Sequence, residues 1–481
     1  MSKIETKAGV CPRIGLFGVG LDTYWPQFDG LLDSLNGFQG EIARNLKSLD
    51  VELVDAGMVD NPVKARQIGV LFREKRVDLI FLFVSTYALS STVLPVVQAA
   101  HVPVVVLNLQ PVAQLDYGRF NALGDRGKMT GVWLAHCQSC SAPEIASVFN
   151  RSGIEYHLVS GYLNDPEAWL EIREWIEAAR AAVGMRENRV GLLGQYYGGM
   201  LDVYSDLTLQ SARFGNHFEV IEMCEVNALR EAVTKDQIEA KLEEFVRAFD
   251  ISPECEALEL RRAAQTSCAL DAVVEKHNLG SMAYYYESQA GNPYQEIVTS
   301  VIAGNTLLTG RHIPVAGEYE IKNVQAMKIM DLLGAGGSFS EPYLADFKDD
   351  VVFWGHDGPA HFAIAEGRVG LVPLPVYHGK PGKGLSIQMT VKHGPATLLA
   401  VVEGAGAKLS LLVAEGESVP GPVLEIGNTN SRYRFSIGAK AFMNEWFKAG
   451  PAHHCAIGVG HVAGKIAKLG ALLGLDVVRV C

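Results

Sequence analysis

The chain has 481 residues, 48% of them apolar and 20% charged, with a formal net charge of −12. That is globular composition, long enough to bury a large core and to divide into several domains of about 100–200 residues each. The acidic balance excludes a general nucleic-acid binder, which needs a basic stripe.

Met1–Val10 carries charges and no apolar h-region, so no secretory signal is expected. Arg13–Gly18 reads as a short strand, Phe28–Leu49 as a helix and Val51–Asp55 as the next strand. Helix Asn61–Lys75 and strand Val77–Val84 follow. The most apolar stretch, Leu79–Leu107, is broken by Ser85, Thr86, Ser90, Gln98 and Pro103. A membrane span needs about 20 predominantly apolar residues. This stretch reads better as strand Leu79–Val84, helix Tyr87–Ala100 and strand Val104–Leu107. Short β-branched runs alternating with amphipathic segments predict a doubly wound parallel sheet.

A charged helix over Pro166–Val183 separates this unit from a second alternation. That one begins at Arg189–Leu193 and includes helices Lys235–Phe249 and Arg261–Lys276 and strand Ser281–Tyr285. Beyond about residue 335 the helical period fades. Val351–Trp354, Val369–Val372, Leu385–Thr390, Thr397–Glu403 and Lys408–Ala414 are short strands between Gly/Pro turns, the texture of an antiparallel sheet or barrel. Ala456–Leu473 reads as a closing helix and Leu475–Val480 as a last strand. The expectation is an α/β chain of three domains. Residues 1–168 and 169–335 are doubly wound parallel-sheet units, and 336–481 is a mainly antiparallel β domain with a closing helix.

Eight cysteines are scattered along the chain. They read as reduced, which points to the cytosol. Cys137 and Cys140 form one CxxC; zinc sites usually need a second pair. The cluster Gly15-Leu-Phe-Gly18-Val-Gly20 follows a strand but is not GxGxxG, and Asp22-Thr-Tyr-Trp-Pro interrupts the helix that a dinucleotide fold needs. Gly194-Gln-Tyr-Tyr-Gly198-Gly199-Met lies at the carboxyl end of a strand, where open α/β sheets bind ligands. A plain tight turn explains it equally well.

Four later segments place an acid or imidazole beside Gly or Pro, where strands end. They are Ala316-Gly-Glu318-Tyr-Glu320, Gly337-Ser-Phe-Ser-Glu341-Pro342, Trp354-Gly-His356-Asp-Gly358 and Ala449-Gly-Pro-Ala-His453-His454. Carboxylate and imidazole are ligands for a divalent cation. Taken singly, each is open to a blander reading: a surface glutamate, or a core histidine with satisfied hydrogen bonds.

At these segments the sequence resembles the L-arabinose isomerase and L-fucose isomerase superfamily. Ala-Gly-Glu318-Tyr-Glu320 is similar to that family's Ala-Gly-Glu-Gly-Asp, and Ser338-Phe-Ser-Glu341 to its Ser-Phe-Met-Glu. Gly355-His356 loosely resembles Gly-Ser-His. Ala449-Gly-Pro-Ala-His453-His454 is similar to Ala-Gly-Gly-Ala-His-His, and Gly394-Pro395-Ala396 to a Gly-Pro-Ala before a strand. The resemblance covers most of the chain and is strongest between about residues 310 and 460. It implies a three-domain subunit and an aldose–ketose isomerase using Mn²⁺ or another divalent metal, with proton transfer through a metal-stabilised enediol. L-arabinose to L-ribulose is the first candidate reaction. By position, Glu318, Glu341, His356 and His454, or His453 in its place, become ligands, and Glu318 and Glu341 the proton-shuttling carboxylates. The family also implies a homo-oligomer, hexamer or trimer, whose sites borrow N-terminal residues of a neighbour. Gln110, Tyr87, Tyr24 and Trp25 align with such substrate-contacting positions, and His361 is an extra imidazole that could join them. The expected partner is a small sugar, with neither nucleic acid nor membrane.

The departures bear on which sugar is used. Tyr319-Glu320 stands where the family has Gly-Asp, and Pro342 where it has Asp. Another sugar isomerase or epimerase of the same superfamily, or a non-catalytic sugar-binding homologue, is the alternative.

Overall fold

The computed structural model describes residues 11–287, 291–374 and 383–481. The segment read as lacking a signal lies outside them. The chain separates into two compact units, one through Val183 and one from Gly184 onward.

The first unit holds strands β1 (Arg13–Val19), β2 (Glu52–Val59), β3 (Leu79–Val84), β4 (Val104–Gln110) and β5 (Tyr156–Tyr162), in the order β2-β1-β3-β4-β5. Every pairing is parallel, as the alternation of strand and helix predicts. β3 is buried at all six positions, which matches its unbroken Leu-Ile-Phe-Leu-Phe-Val run: a strand buried on both faces has no need of polar alternation. The glycines of β1 serve packing. A Cβ on Gly18 would lie 2.3 Å from Gln39 Oε1, and one on Gly20 would lie 2.8 Å from the Trp25 ring. A 3₁₀ turn, Asp22–Tyr24, follows β1 before the long helix Leu31–Lys47 begins.

In the second unit, β6 (Arg189–Gly194), β7 (His217–Ile221), β8 (Phe249–Ile251), β9 (Ser281–Tyr285) and β10 (Val315–Ala316) come first. β10-β9-β6-β7 form a parallel sheet. Then come β11 (Gly336–Asp346), β12 (Val351–His356), β13 (Val369–Leu374), β14 (Gly384–Gln388), β15 (Gly394–Gly404), β16 (Lys408–Val419), β17 (Thr429–Phe435), β18 (Cys455–Val459) and β19 (Asp476–Arg479). The order β15-β18-β11-β12-β17-β16 closes on itself through a β15–β16 pairing, giving an antiparallel barrel, and β19 adds parallel to β16. β8 pairs with β13, and β13 with β14, so a small mixed sheet joins the two kinds of architecture within this unit. One core runs through it, from Leu193 and Phe245 to Trp354, Tyr433 and Trp446.

One reading of the last part is corrected, and one strand is added to it. Residues 456–459 are not helical: Cys455–Val459 is a barrel strand, and the closing helix is Ala463–Leu473. A short continuous apolar run fits a buried strand or a buried helix equally by period. Here β11 and β15 stand ready on either side to pair with it. Gly336–Asp346 is a strand despite two glycines and a proline, with the ladder slipping between Pro342 and Leu344 to absorb the missing donor. Among the described residues, no helix is long and apolar enough to cross a membrane.

Candidate metal centre

β11 is the spine of the site. Glu341 pairs with Gly355 on one side, and Ser340 with Cys455 on the other. His356 and His454, next to those partners in sequence, therefore arrive from the two neighbouring strands. The Phe339 ring packs against both imidazoles, with centroids 4.4 Å from His356 and 4.3 Å from His454. Gly355 has no alternative at its position, since a Cβ there would meet Thr429 O at 1.9 Å.

Glu318 comes from the turn between β10 and helix Ile321–Leu332. Glu318 and Tyr319 both have left-handed backbones, φ 54° and 57°. That conformation costs an ordinary residue about 1–2 kcal/mol. Two contacts hold Tyr319 there: its N–H donates to Tyr284 O at 3.1 Å, and its ring meets Tyr196 edge-on at 4.9 Å. The turn aims Glu318 at the barrel strands.

The side chains converge. Glu318 carboxylate oxygens lie 3.5 Å from His454 Nε2, 3.6 Å from His453 Nε2 and 3.7 Å from His356 Nε2. Glu341 Oε2 is 3.9 Å from His453 Nε2. Two sets of donor atoms lie within 4.8 Å of one another: Glu318 with His453 and His454, and Glu341 with His356 and His454. His454 belongs to both sets.

Each histidine of the pair has its own orienting acid. His454 Nδ1 lies 2.6 Å from Glu320 Oε2, and both side chains are fully buried. His453 Nδ1 lies 2.6 Å from Asp202 Oδ2, and its backbone N–H donates to the same oxygen at 3.1 Å. Asp202 is held in turn by Lys322, a buried amine that donates to the carbonyls of Asp202 and Tyr204. In both pairs Nδ1 is occupied and Nε2 faces the cluster.

Electrostatics follow from these distances. Burial alone would push the Glu318 carboxyl up, but the imidazoles of His356, His453 and His454 beside it hold it well below the usual carboxylate range. Burial alone would push His453 down, but Glu318 and Asp202 raise it to about 9. Beside the cluster lies a cavity of about 120 Å³, lined by Tyr197, Met200, Tyr285, Asn305, Glu318 and His356 among others. Its walls are largely aromatic and aliphatic. Burial keeps the Tyr285 phenol protonated far above its ordinary range.

Glu318, Glu341, His356, His453 and His454, expected from the sequence, are thus brought together. His361 is not among the cavity-lining residues. It is fully buried, and among the described residues neither ring nitrogen has a hydrogen-bond partner. Gln110, Tyr87, Tyr24 and Trp25 lie in the first unit. Gln110 ends β4, Tyr87 follows β3, and Tyr24, Trp25 and Tyr87 pack on one small apolar cluster with Leu31 and Leu134. Trp25 Nε1 donates to Asp60 at 2.9 Å. Asp202 was not marked by any pattern in the sequence. Its one signal is its place in the loop at the carboxyl end of β6, where ligands of α/β sheets gather. Glu320 was visible only as a departure from the family motif.

Parallel sheets followed by an antiparallel barrel, with carboxylates and imidazoles converging from β11, its two neighbouring strands and the turn after β10, define an α/β protein with a candidate cation centre. No protein-family model matches the chain. Curated proteins do. An L-arabinose isomerase of Acidothermus cellulolyticus is 20% identical over 348 residues, 70% of this chain and 69% of the relative. That of Nocardioides sp. is 22% identical over 70% of this chain and 68% of the relative. That of Yersinia enterocolitica is 21% identical over 435 residues, 85% and 83% of the two chains. The chain is arabinose isomerase-like. The relatives are, by name, sugar isomerases, a class of intramolecular oxidoreductase.

Proposed function

We propose that the chain is a metal-dependent aldose–ketose isomerase, with L-arabinose and L-ribulose as the first substrate pair to test. The observation that carries this is the convergence of Glu318, Glu341, His356 and His454 from four separate segments, in a chain related to L-arabinose isomerases. The donor set fits a divalent cation. It is nitrogen and oxygen only, and His454 Nε2 and Glu318 Oε2 are buried, with no hydrogen-bond partner among the described residues. Oxygen and imidazole donors suit Mn²⁺. His454 is favoured over His453 as the fourth ligand, because it is the histidine common to both donor sets.

A bound divalent cation would polarise the oxygens on C1 and C2 of the open-chain sugar and stabilise developing enediolate charge. The chain's own residues do the rest. Glu318 and Glu341 are the two carboxylates of the donor sets, and one of them is assigned to move the proton between C2 and C1. Glu318 stays ionised among three imidazoles, which suits it to holding the cation; Glu341, 3.9 Å from His453 Nε2 and grouped with His356 and His454, is assigned the proton transfer. His453, protonated and anchored by Asp202, supplies a positive donor at the rim. Tyr197, Met200 and Tyr285 exclude water from one side. Gln110, Tyr87, Tyr24 and Trp25 contact the sugar bound by a neighbouring subunit of a hexamer or trimer, as the resemblance implies.

The deciding experiment incubates the purified protein with a panel of aldoses and Mn²⁺, before and after EDTA. Ketose should form with metal and stop without it. If no aldose is converted and no metal binds, the reading fails.

A further inference from the structure

The CxxC of the first unit plays no part in the proposed chemistry, yet its geometry is specific. Cys137 caps helix Gln138–Ser152 and Cys140 lies in its first turn. Their sulfurs are 2.7 Å apart, Cys137 donating to Cys140. A disulfide bond is about 2.05 Å long and spans Cα atoms about 4.4–6.8 Å apart, a separation that one helical turn provides. The two sulfurs already face each other across that turn, at a separation close to a bonded one. No other cysteine is recorded against either sulfur among the described residues, and neither belongs to a group of three or more metal-ligating side chains.

Access is asymmetric. Cys140 is exposed and Cys137 is 3% exposed. Burial, reinforced by the hydrogen bond to Cys140, pushes the Cys137 thiol up to about 12. The outer sulfur thus meets reagents, while the inner one is held as a thiol behind it. The turn between them is anchored. Gln138, wholly buried, donates to Ser85 O at 3.0 Å and to Ala135 O at 2.9 Å. Ser141 Oγ accepts from Ala88 N at 2.7 Å, and Thr86 donates to Leu134 O at 2.7 Å. The cysteine turn is therefore stitched to the loop that carries Tyr87.

We propose that Cys137 and Cys140 are a redox modification site that a low-molecular-weight disulfide converts reversibly to an intrachain disulfide. The Cys140 thiolate attacks one sulfur of the reagent, breaking its S–S bond and releasing one thiolate. Cys137 then gives up its proton and attacks Cys140 Sγ, breaking the mixed disulfide and releasing the second thiolate. Two protein thiols are oxidised by two electrons, the reagent is reduced to two thiols, and the two protein protons go to them. A dithiol reverses both steps.

The test treats the full-length protein with glutathione disulfide, blocks remaining thiols with an alkylating agent and maps peptides by mass spectrometry. The expected result is a Cys137–Cys140 peptide lighter by two hydrogens and unalkylated at both positions, restored by dithiothreitol. Cys137→Ser should leave only a glutathione adduct on Cys140, and Cys140→Ser should leave Cys137 unmodified. A wild-type protein that stops at the Cys140 adduct, with Cys137 alkylated after unfolding, overturns the proposal. So does one in which both cysteines remain alkylatable. The readout is a mass and stands whatever sugar the protein turns over.

Discussion

His454 donates from Nδ1 to Glu320 at 2.6 Å, and that bond fixes which nitrogen the imidazole turns toward the cluster. A ligating histidine is commonly oriented this way, through its other ring nitrogen. Replacing Glu320 with Ala should weaken Mn²⁺ binding by about 10–100-fold, measured by titration with electron paramagnetic resonance of free Mn²⁺. Glu320→Gln keeps an acceptor and should recover part of that loss. Equal affinity in all three proteins would show that His454 needs no orientation.

Glu341 and Glu318 should separate by role. Glu341→Gln should lower kcat by about 10²–10⁴-fold, the range of a lost general base, with Mn²⁺ affinity reduced less. Glu318→Gln should lose metal affinity first, since its carboxylate touches three imidazoles. Metal titration beside steady-state kinetics on the two variants checks this. The reverse pattern would exchange the assignments.

His361 sets a pH dependence of stability. Burial lowers it from 6.5 to about 4, opposed by Asp331 and aided by His312. The unfolded imidazole takes up a proton below 6.5, while the folded one resists until about 4. Stability is therefore complete above that window and falls as pH drops through it, by at most about 3 kcal/mol. His361→Leu should flatten this acid limb in urea unfolding at pH 7 and pH 4.5. An unchanged slope would remove His361 as the cause.

Gly194 ends β6 with φ 100°, and a Cβ there would lie 1.8 Å from Tyr285 O. No side chain can move out of the way, because the obstacle is backbone. Gly194→Ala should cost about 2 kcal/mol or more and displace the loop carrying Tyr197 and Asp202. A lowered melting temperature, together with weaker substrate saturation, is the expected pair of observations.

Much of this was legible in the sequence, for a physical reason. Glu318, His356 and the His453–His454 pair each sit near Gly or Pro at a strand end, where chain direction changes and side chains can converge, whereas Glu341 lies beside Pro342 in the middle of β11. The parallel strands announced themselves by β-branched runs such as Val104–Leu107 and by unbroken apolar runs such as Leu79–Val84. Residues 455–459 did not, because a short wholly apolar run carries no period to tell strand from helix. β11 was hidden by Gly336, Gly337 and Pro342, which suppress strand propensity yet are tolerated where the ladder is irregular. Asp202 was invisible because its partner is His453, a contact made only by the folded chain.

The paired left-handed residues Glu318 and Tyr319 carry one more implication. A loop that must be ordered by its ligand loses affinity to that ordering. Here the unfavourable backbone is already adopted and pinned by Tyr284 and Tyr196, so the entropy of arranging the carboxylate is spent when the chain folds. A cation arriving at Glu318 would meet a rigid socket. The cost of that backbone is carried by the fold itself, and loosening Tyr319 would lower it at the expense of the position of Glu318.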